Sequence, residues 1–370
     1  MDKLYRRLYD KTHWWLHYLH KRNAYLSLLN KMEKNLPKKN IHISKATIQE
    51  YIQKWKQIDP FPSPRFFQIY SAVNGEVDLN YVPDYLYSFP IDGILSNFRY
   101  CSYTENKSLY KHRLNDFSNL LPHTYLNKIN GLNFGSEYNL IDDVNDYIRN
   151  INEQCLVLKK ALDTSSGWDV AFFNKNNNGD FVSDNGFNLL TVMNNMNDCV
   201  LQERIKQSEF MERLNRSSVN TFRVVTYRSV TTNKVFVMQV VLKKGKEGSF
   251  ADNLHSGGLW IPINNSGILS NCGIDESGRY IPHCTGIDVV PYYKDLCNMA
   301  LSIAEKDWFN RQLFFDFFID RGERVRLMEI NLTSHPTIQL YSGPAFREFT
   351  DEVIDYCVNN NGYLVKLIKI

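Results

Sequence analysis

The stretch LFFDFFIDRGERVRLMEINLTSHPTIQ, residues 313–339, consists of two apolar runs that polar residues interrupt. A charged turn, DRGERVR, separates the runs, and this pattern predicts two neighbouring antiparallel strands. Asp316 lies six residues before Gly322 at the centre of the turn, and Glu329 lies seven residues after it. The two carboxylates are therefore predicted to lie nearly opposite each other, and Asn331, two residues beyond Glu329, points to the same side as Glu329.

Aromatic residues such as Phe315 and Phe317 indicate that these strands are largely buried. A buried, unpaired carboxylate is costly, which implies a metal ion or a cationic partner. Oxygen ligands of this type suit Mg²⁺, which also takes phosphate oxygens and water. The sequence therefore predicts a metal site formed by Asp316, Glu329 and Asn331. The alternative is ordinary polar alternation on a solvated face of the sheet.

The composition narrows the possible functions. The chain has 370 residues, 43% of them hydrophobic, which is enough for a large core, and a net charge of only +3. Residues 1–39 carry ten lysines and arginines against three acids, a net +7, which leaves −4 for the rest of the chain. This distribution argues against nucleic acid as the main partner. The seven cysteines are scattered without C-x-x-C spacing, as expected for reduced thiols, and we expect a cytoplasmic protein without a signal peptide or a membrane span.

The first 34 residues contain neither Gly nor Pro and predict a helix. Its basic faces, together with Trp14 and Trp15, would suit peripheral contact with the inner membrane. The simpler interpretation is a helix that packs on its own domain. Both interpretations remain open at the level of the sequence.

Three further motifs could carry chemistry. In VLKKALDTSSG, a strand that ends in Lys159 leads into a small-residue loop that could approach phosphates, although the spacing is not that of a P-loop. In SSVNTFRVV, Arg223 lies within an apolar strand and is either an anion clamp or a solvent-facing residue of an edge strand. DNLHSGGLW and RYIPHCTG place His255 and His283 beside small residues, in substrate loops or in plain turns.

These motifs, in this order, resemble the ATP-grasp superfamily, and most closely the sugar-transfer-associated ATP-grasp proteins of polysaccharide biosynthesis. The resemblance covers about residues 60–350 and is most specific in SSVNTFRVVT, DNLHSGG with HCTG, and FFDFF with MEINLTSHPTIQ. It implies an α+β (α/β) ATP-grasp fold in which two α+β subdomains hold a nucleotide. The implied divisions are a helical arm (1–58), a small α/β part (59–135), a lid subdomain (136–206) and a C-terminal subdomain with the metal site (207–370).

The resemblance also implies roles for individual residues. It makes Lys107 and Lys159 contacts of ATP, places the backbone of residues 202–204 beside adenine, and makes Asp316, Glu329 and Asn331 the ligands of Mg²⁺. The remaining implied nucleotide contacts are Gln202, Glu203, Asn220 and Arg223. The chain departs from the family pattern at Asn106, where an Asp is usual, and at Lys160, where a Pro is usual.

The implied activity is ATP-dependent ligation of a carboxylate to an amine through an acylphosphate, in capsule or O-antigen synthesis. The expected substrates are a uronic acid or sugar nucleotide and an amino acid or amine. The residues expected near the chemistry are Lys159, Arg223, His255 and His283, with Arg279 close to the second substrate. The alternatives are a phosphotransferase on the same fold and a non-catalytic nucleotide- or glycan-binding module.

Overall fold

The computed structural model describes residues 2–162, 170–249, 252, 254–282 and 289–367. Two antiparallel sheets and a set of mostly short helices make up these residues, which gives an α+β architecture. The strands are β1 Thr124–Ile129, β2 Leu132–Gly135, β3 Cys155–Lys160, β4 Val170–Lys175, β5 Phe181–Val182, β6 Cys199–Glu203, β7 Thr221–Arg228, β8 Val235–Lys244, β9 Leu259–Pro262, β10 Cys272–Ile274, β11 Tyr280–Pro282, β12 Gln312–Ile319 and β13 Val325–Asn331.

The helices cluster at the N-terminus and around the sheets. They are α1 Asp2–Met32, α2 Lys45–Trp55, α3 Arg65–Asn74, α4 Asp84–Leu86, α5 Asp92–Leu95, α6 Cys101–Thr104, α7 Tyr110–Arg113, α8 Val144–Arg149, α9 Leu189–Asn194, α10 Glu209–Leu214, α11 Tyr293–Lys306, α12 Gln339–Ser342 and α13 Thr350–Leu367. A π-helical turn spans Tyr87–Ile91, and 3₁₀ turns span Phe98–Tyr100, Lys107–Leu109, Asn115–Leu120, Leu254–Ser256, Pro336–Ile338 and Arg347–Phe349. Within the described part of the chain, no helix is both long and apolar enough to cross a bilayer.

The larger sheet has seven strands in the order β11-β10-β9-β8-β7-β12-β13. Alternate residues of β7 face two different cores, as the two-residue period of a strand requires. Phe222 and Val224 pack on the side that α11 covers. Val225 and Tyr227 pack on the other side, against the N-terminal helices. Arg223 belongs to this second side, where the helices leave one end of the sheet open to a cleft.

The hairpin of β12 and β13 forms one edge of this sheet. Asp316 is directly opposite Glu329, and Phe314 is directly opposite Asn331. The predicted near-register pairing is therefore confirmed. A register shift follows Asp316, so that Met328 is an extra residue between Glu329 and Leu327.

The smaller sheet has six strands in the order β2-β1-β6-β3-β4-β5. Its inner side forms a separate core in which Leu156 and Leu158 of β3 pack with residues of α8 and α9. Val157 and Lys159 alternate to the opposite side of β3, which faces the cleft. The division into four domains stays a prediction, but its boundary at residue 135 separates β1 and β2 from the sheet in which they lie.

Candidate functional site

A cleft of ≈ 770 Å³ lies between the two sheets. This volume falls within the roughly 300–1,000 Å³ typical of small-molecule sites. The smaller sheet contributes the apolar side chains of Val157, Val170 and Phe172. The larger sheet contributes Met328 and a group of charged residues. From the larger sheet the charged and polar residues are Thr221, Arg223, Lys243, Asp316, Glu329 and Asn331, and other elements add Lys107, Lys159 and Asp252.

Asp316 is the most buried acid of the cleft, with 1% of its side chain exposed. Arg223, its direct neighbour on β7, donates from Nε to Oδ1 at 2.8 Å and from Nη2 to Oδ2 at 2.6 Å. Lys243 adds a third hydrogen bond to Oδ2 at 3.1 Å. Burial by itself raises the pKa of the Asp316 carboxyl, but the charges of Arg223 and Lys243 outweigh it and hold this pKa well below its usual value. Asp316 is therefore ionised and paired with cations of its own protein.

Lys243 and Asp252 are functional candidates that the sequence did not reveal. The Lys243 ammonium lies 3.3 Å from a carboxylate oxygen of Asp252, and Thr221 donates to the other oxygen of Asp252. Lys243 lies directly opposite Thr221 in the β7–β8 ladder, so it shares a sheet face with Thr221 and with Arg223 two residues further on. The sequence VVLKK suggests a strand that carries a lysine, but only the register between β7 and β8 shows that Lys243 lies beside Thr221 and Arg223.

Glu329 and Asn331 lie at the mouth of the cleft and are half-buried. The Asn331 amide nitrogen donates to Glu329 Oε1 at 3.4 Å. Lys107, from the 3₁₀ turn before α7, places its ammonium 3.4 Å from Glu329 Oε2. The predicted contact residue Lys107 is therefore brought to the predicted metal ligands, although it is about 220 residues away along the chain.

Lys159 approaches the same group from the smaller sheet. Its ammonium lies 3.5 Å from the Met328 sulfur, across the cleft. Burial and then the like charge of Lys107 lower the pKa of Lys159 to about 8, whereas Glu329 acts in the opposite direction. A lysine with a lowered pKa that faces a cleft is poised to gain a negative partner, such as a phosphate.

The donor set at the end of this hairpin fits Mg²⁺ in part. Glu329 offers carboxylate oxygens beside the cleft, and Asn331, which donates through its nitrogen, keeps its carbonyl oxygen as an acceptor. Asp316 is already bonded to two cations, so it can offer only the lone pairs that Arg223 and Lys243 leave. Among the described residues, no cluster of three His, Cys, Asp or Glu side chains is arranged for a metal. A Mg²⁺ ion held by Glu329 and Asn331 would therefore need further ligands, such as phosphate oxygens.

The free edge of β13 is held in place by two residues of the segment that contains α6 and α7. The Tyr110 hydroxyl accepts from the Ile330 amide at 2.9 Å, and Glu105 Oε1 accepts from the Leu332 amide at 2.6 Å. An unpaired strand edge would otherwise expose these donors. The two side chains thus fix the backbone on either side of Asn331 and support the geometry of the site.

The segment that follows β6 lies at the apolar end of the cleft. Glu203 and Arg204 line the cleft, but Gln202, which was predicted to contact the nucleotide, does not. The Gln202 side chain donates to Thr124 at 3.0 Å, within the smaller sheet. The Glu203 amide is also used, since it donates to the His123 carbonyl at 2.9 Å. The predicted contact of adenine with the backbone of residues 202–204 stays a prediction.

Arg326 connects the two sheets at this end. It donates to Glu203 Oε1 at 3.0 Å, from β13 to β6, and to Asp320 at 3.2 Å. The Glu203 carboxylate also accepts from the His123 amide at 2.8 Å. Glu203 therefore acts as a link between the sheets as well as a wall of the cleft.

Asn220, which was predicted to contact a nucleotide, does not line the cleft. Asn220 is fully buried, and its side-chain nitrogen lies within hydrogen-bond distance of Gln207, Met211 and Asn215 acceptors. Its side-chain oxygen accepts from the Gly245 amide at 3.2 Å. The side-chain amide is thus bonded through both its nitrogen and its oxygen, which fixes the loops that precede β7 and follow β8.

The predicted substrate-loop residues have different outcomes. His283 lies outside the described residues, and so does the side chain of His255, whose backbone lies in the Leu254–Ser256 turn. Arg279 is mostly exposed and pairs with Asp275 at 2.8 Å in the turn between β10 and β11. Arg279 is not part of the cleft, because its strand lies at the opposite edge of the larger sheet. Its predicted position near the second substrate stays a prediction.

Two antiparallel sheets thus enclose a cleft in which Lys107 and Lys159 lie close to Glu329. Residues 96–354 match the family described as sugar-transfer associated ATP-grasp, and the chain belongs to this family. The family resemblance expected from the sequence is confirmed. No curated protein matches the chain.

Solved structures show distant similarity to the chain. N5-carboxyaminoimidazole synthase from Aspergillus clavatus, in complex with ADP and 5-aminoimidazole ribonucleotide, is 11% identical, with a TM-score of 0.40, over 69% of this chain and 54% of that one. The D-alanine-D-alanine ligase from Coxiella burnetii is 12% identical, with a TM-score of 0.39, over 73% and 61%. The biotin carboxylase domain of Hydrogenobacter thermophilus 2-oxoglutarate carboxylase, with MgADP, is 11% identical, with a TM-score of 0.43, over 71% and 48%. The chain spans about half the length of three N5-carboxyaminoimidazole synthetase structures (46%, 54% and 52%).

Proposed function

We propose that this protein is an ATP-dependent carboxylate–amine ligase that acts through an acylphosphate. The observation that carries the proposal is the convergence of Lys107, from a 3₁₀ turn, and Lys159, from the smaller sheet, on Glu329 of the larger sheet in one cleft. Two cations beside a carboxylate suit a triphosphate with a bound divalent ion. The apolar walls at the other end of the cleft suit a flat base.

The residues of the cleft would divide the work of binding. Glu329, Asn331 and Asp316 would hold Mg²⁺, which would neutralise phosphate charge. Lys107 and Lys159 would contact phosphate oxygens, which keeps the transferring group in place. Arg223 is fixed by Asp316 and also donates from Nη1 to the Ser334 hydroxyl at 3.2 Å. It therefore supplies a preorganised positive charge beside the ligands.

In the proposed reaction, a carboxylate oxygen attacks the γ-phosphorus of ATP and ADP leaves. An amine then attacks the acylphosphate carbon, inorganic phosphate leaves, and the amine loses a proton to give an amide. Positioning and charge neutralisation account for the catalysis, and the protein needs no covalent nucleophile.

We propose a sugar carboxylate, such as a uronic acid or its sugar nucleotide, as the acid and an amino acid or other amine as the partner. The family description, sugar-transfer associated, supports this class of substrate. We also propose that the reaction takes place in the cytoplasm, in the synthesis of a capsule or O-antigen polysaccharide.

The test is a screen of ADP release by the purified chain with ATP, Mg²⁺ and pairs of uronic acids, UDP-sugars and amines. A ligase sustains ADP release over many turnovers only when both partners are present, and it forms a product with the mass of the condensed amide. Sustained turnover without the amine that accumulates a stable phosphate ester would instead support a phosphotransferase. Glu329→Gln should remove nearly all turnover. Glu323→Gln, in the exposed turn of the same hairpin, is the matched control and should leave turnover unchanged.

A further inference from the structure

Helix α1 has two apolar faces, and the protein covers only one of them. On the covered face, Tyr18, Leu29 and Met32 are almost fully buried in the core of the N-terminal helices. Trp14 stacks on Tyr18 with its ring centroid 5.5 Å away. The simpler interpretation of the N-terminal segment, a helix that packs on its own domain, therefore holds for this face.

The second face carries large apolar side chains that are exposed. Trp15, Leu16 and Leu19 are 36%, 67% and 44% exposed, and their spacing places them along one side of the helix. In the sequence the same spacing continues towards the N-terminus at Leu8 and Tyr5. We call the three exposed residues the outer stripe. Isolated exposed apolar residues are common, but a stripe on one helix indicates a contact surface.

A neighbouring loop extends the outer stripe. Phe61, in the segment between α2 and α3, is 67% exposed. Arg22, one turn after Leu19 and two turns after Trp15, donates to the Phe61 carbonyl at 3.3 Å. This bond brings Phe61 beside α1, next to the end of the outer stripe. The loop that carries this exposed aromatic ring is thus bonded to α1 near the outer stripe.

The charge around the outer stripe has one dominant sign. Residues 1–39 have a net charge of +7, whereas the rest of the chain has −4. The basic residues that precede the stripe in α1 are Lys3, Arg6, Arg7 and Lys11, against two acids. A helix that combines Trp and Leu with lysines and arginines has the composition of helices that lie in the plane of a lipid interface. Trp is suited to this position because its ring is apolar and its N–H is polar.

We propose that the outer stripe of α1, with Phe61, docks on an anionic lipid surface. The apolar side chains would enter the headgroup region while the basic residues attract acidic lipids. A second copy of this chain fits less well, because a symmetric dimer through the same patch would bring two arms of charge +7 together. The helix would lie on the surface and not cross it.

The experiment is co-sedimentation of the full chain with vesicles of phosphatidylcholine, with or without phosphatidylglycerol. The wild type should bind the anionic vesicles, and raising the salt concentration should weaken this binding. The double variant Leu16→Gln/Leu19→Gln should bind at least about tenfold more weakly, since two side chains no longer bury apolar area. The matched control is Leu132→Gln/Leu140→Gln, since both of its leucines are 56% exposed and lie far from α1 in sequence. This control should bind like the wild type.

A second variant tests the electrostatic part. Replacing Lys3, Arg6, Arg7 and Lys11 by Gln should abolish the preference for anionic over neutral vesicles. Equal binding by the Leu16/Leu19 variant and the wild type would overturn the proposal, and so would a wild type that binds neither kind of vesicle. The stripe would be assigned to a second copy of the chain by a different result. In that case the wild type would be a dimer in sedimentation velocity, the Leu16/Leu19 variant would be a monomer, and neither would bind vesicles. Circular dichroism of each variant verifies that α1 remains folded.

Discussion

Asp316→Asn should destabilise the protein more than any other conservative change in the cleft. The substitution keeps the shape of the side chain but removes the charge that holds Arg223 through two hydrogen bonds and Lys243 through a third. Lys243 keeps Asp252 as a partner, whereas Arg223 loses its only close carboxylate among those the structure describes. Breaking a buried ion pair at one partner costs about 3–5 kcal/mol, so we expect the free energy of unfolding to fall by about this amount.

Urea unfolding of the wild type and the variant, followed by circular dichroism, measures this difference. Asp180→Asn is the matched control, because Asp180 pairs with Arg149 at the surface and such pairs contribute less than about 1 kcal/mol. The difference should also depend on pH in one direction. Since the folded pKa of Asp316 lies below its unfolded value, the stabilisation is complete above about pH 4 and is lost only as the pH falls further.

The reasoning would be refuted by a loss of stability in Asp316→Asn that is no larger than in Asp180→Asn. It would also fail if the difference between wild type and variant were already smaller at pH 5 than at pH 7. Either result would mean that Asp316 is not the ionised centre of a buried pair.

Three further outcomes are expected. Binding of a nucleotide should make the wild type take up protons near pH 8–9, because a bound phosphate raises the lowered pKa of Lys159. Titration calorimetry in two buffers measures this proton uptake. The uptake should be lost in Lys159→Met but kept in the control Lys160→Met. Arg326→Gln removes the bond from β13 to Glu203 of the smaller sheet, so it should weaken nucleotide binding and lower the free energy of unfolding, measured with urea, by about 2–3 kcal/mol. The control is Arg324→Gln, at a largely exposed residue, which should change neither quantity by much. Asn220→Ala removes the bonds that the side-chain amide makes to the surrounding loops, so it should lower the free energy of unfolding by about 2–4 kcal/mol. The folded variant should bind the nucleotide with the same dissociation constant as the wild type.

The sequence predicted the parts of the fold that local patterns determine. The turn at Gly322 and the two-residue period were enough to place Asp316 opposite Glu329 and to put Asn331 on the same hairpin. A hairpin fixes its own register through its turn, so no information from the rest of the chain was needed. The strand that carries Arg223 was also evident, although its two neighbours in the sheet were not.

What the sequence could not supply were the contacts between distant segments. Lys243 and Asp252 complete the charge cluster only because β8 pairs with β7 in one register. Asn220 had the sequence context of a ligand contact, yet the loops around it bond to both its side-chain nitrogen and its side-chain oxygen. The bonds of Gln202 to β1 likewise depend on a sheet order that brings β1 beside β6. Such partners follow from tertiary packing, which propensity and spacing do not encode.

Titration calorimetry of ATP with and without Mg²⁺ is the most direct test of the central claim, that the cleft between the two sheets binds a metal–nucleotide complex at Glu329. We expect one ATP to bind per chain in the presence of Mg²⁺, with much weaker binding by Glu329→Gln and unchanged binding by Glu323→Gln. Absence of ATP binding by the wild type, or equal Mg²⁺-dependent binding by Glu329→Gln, would contradict it.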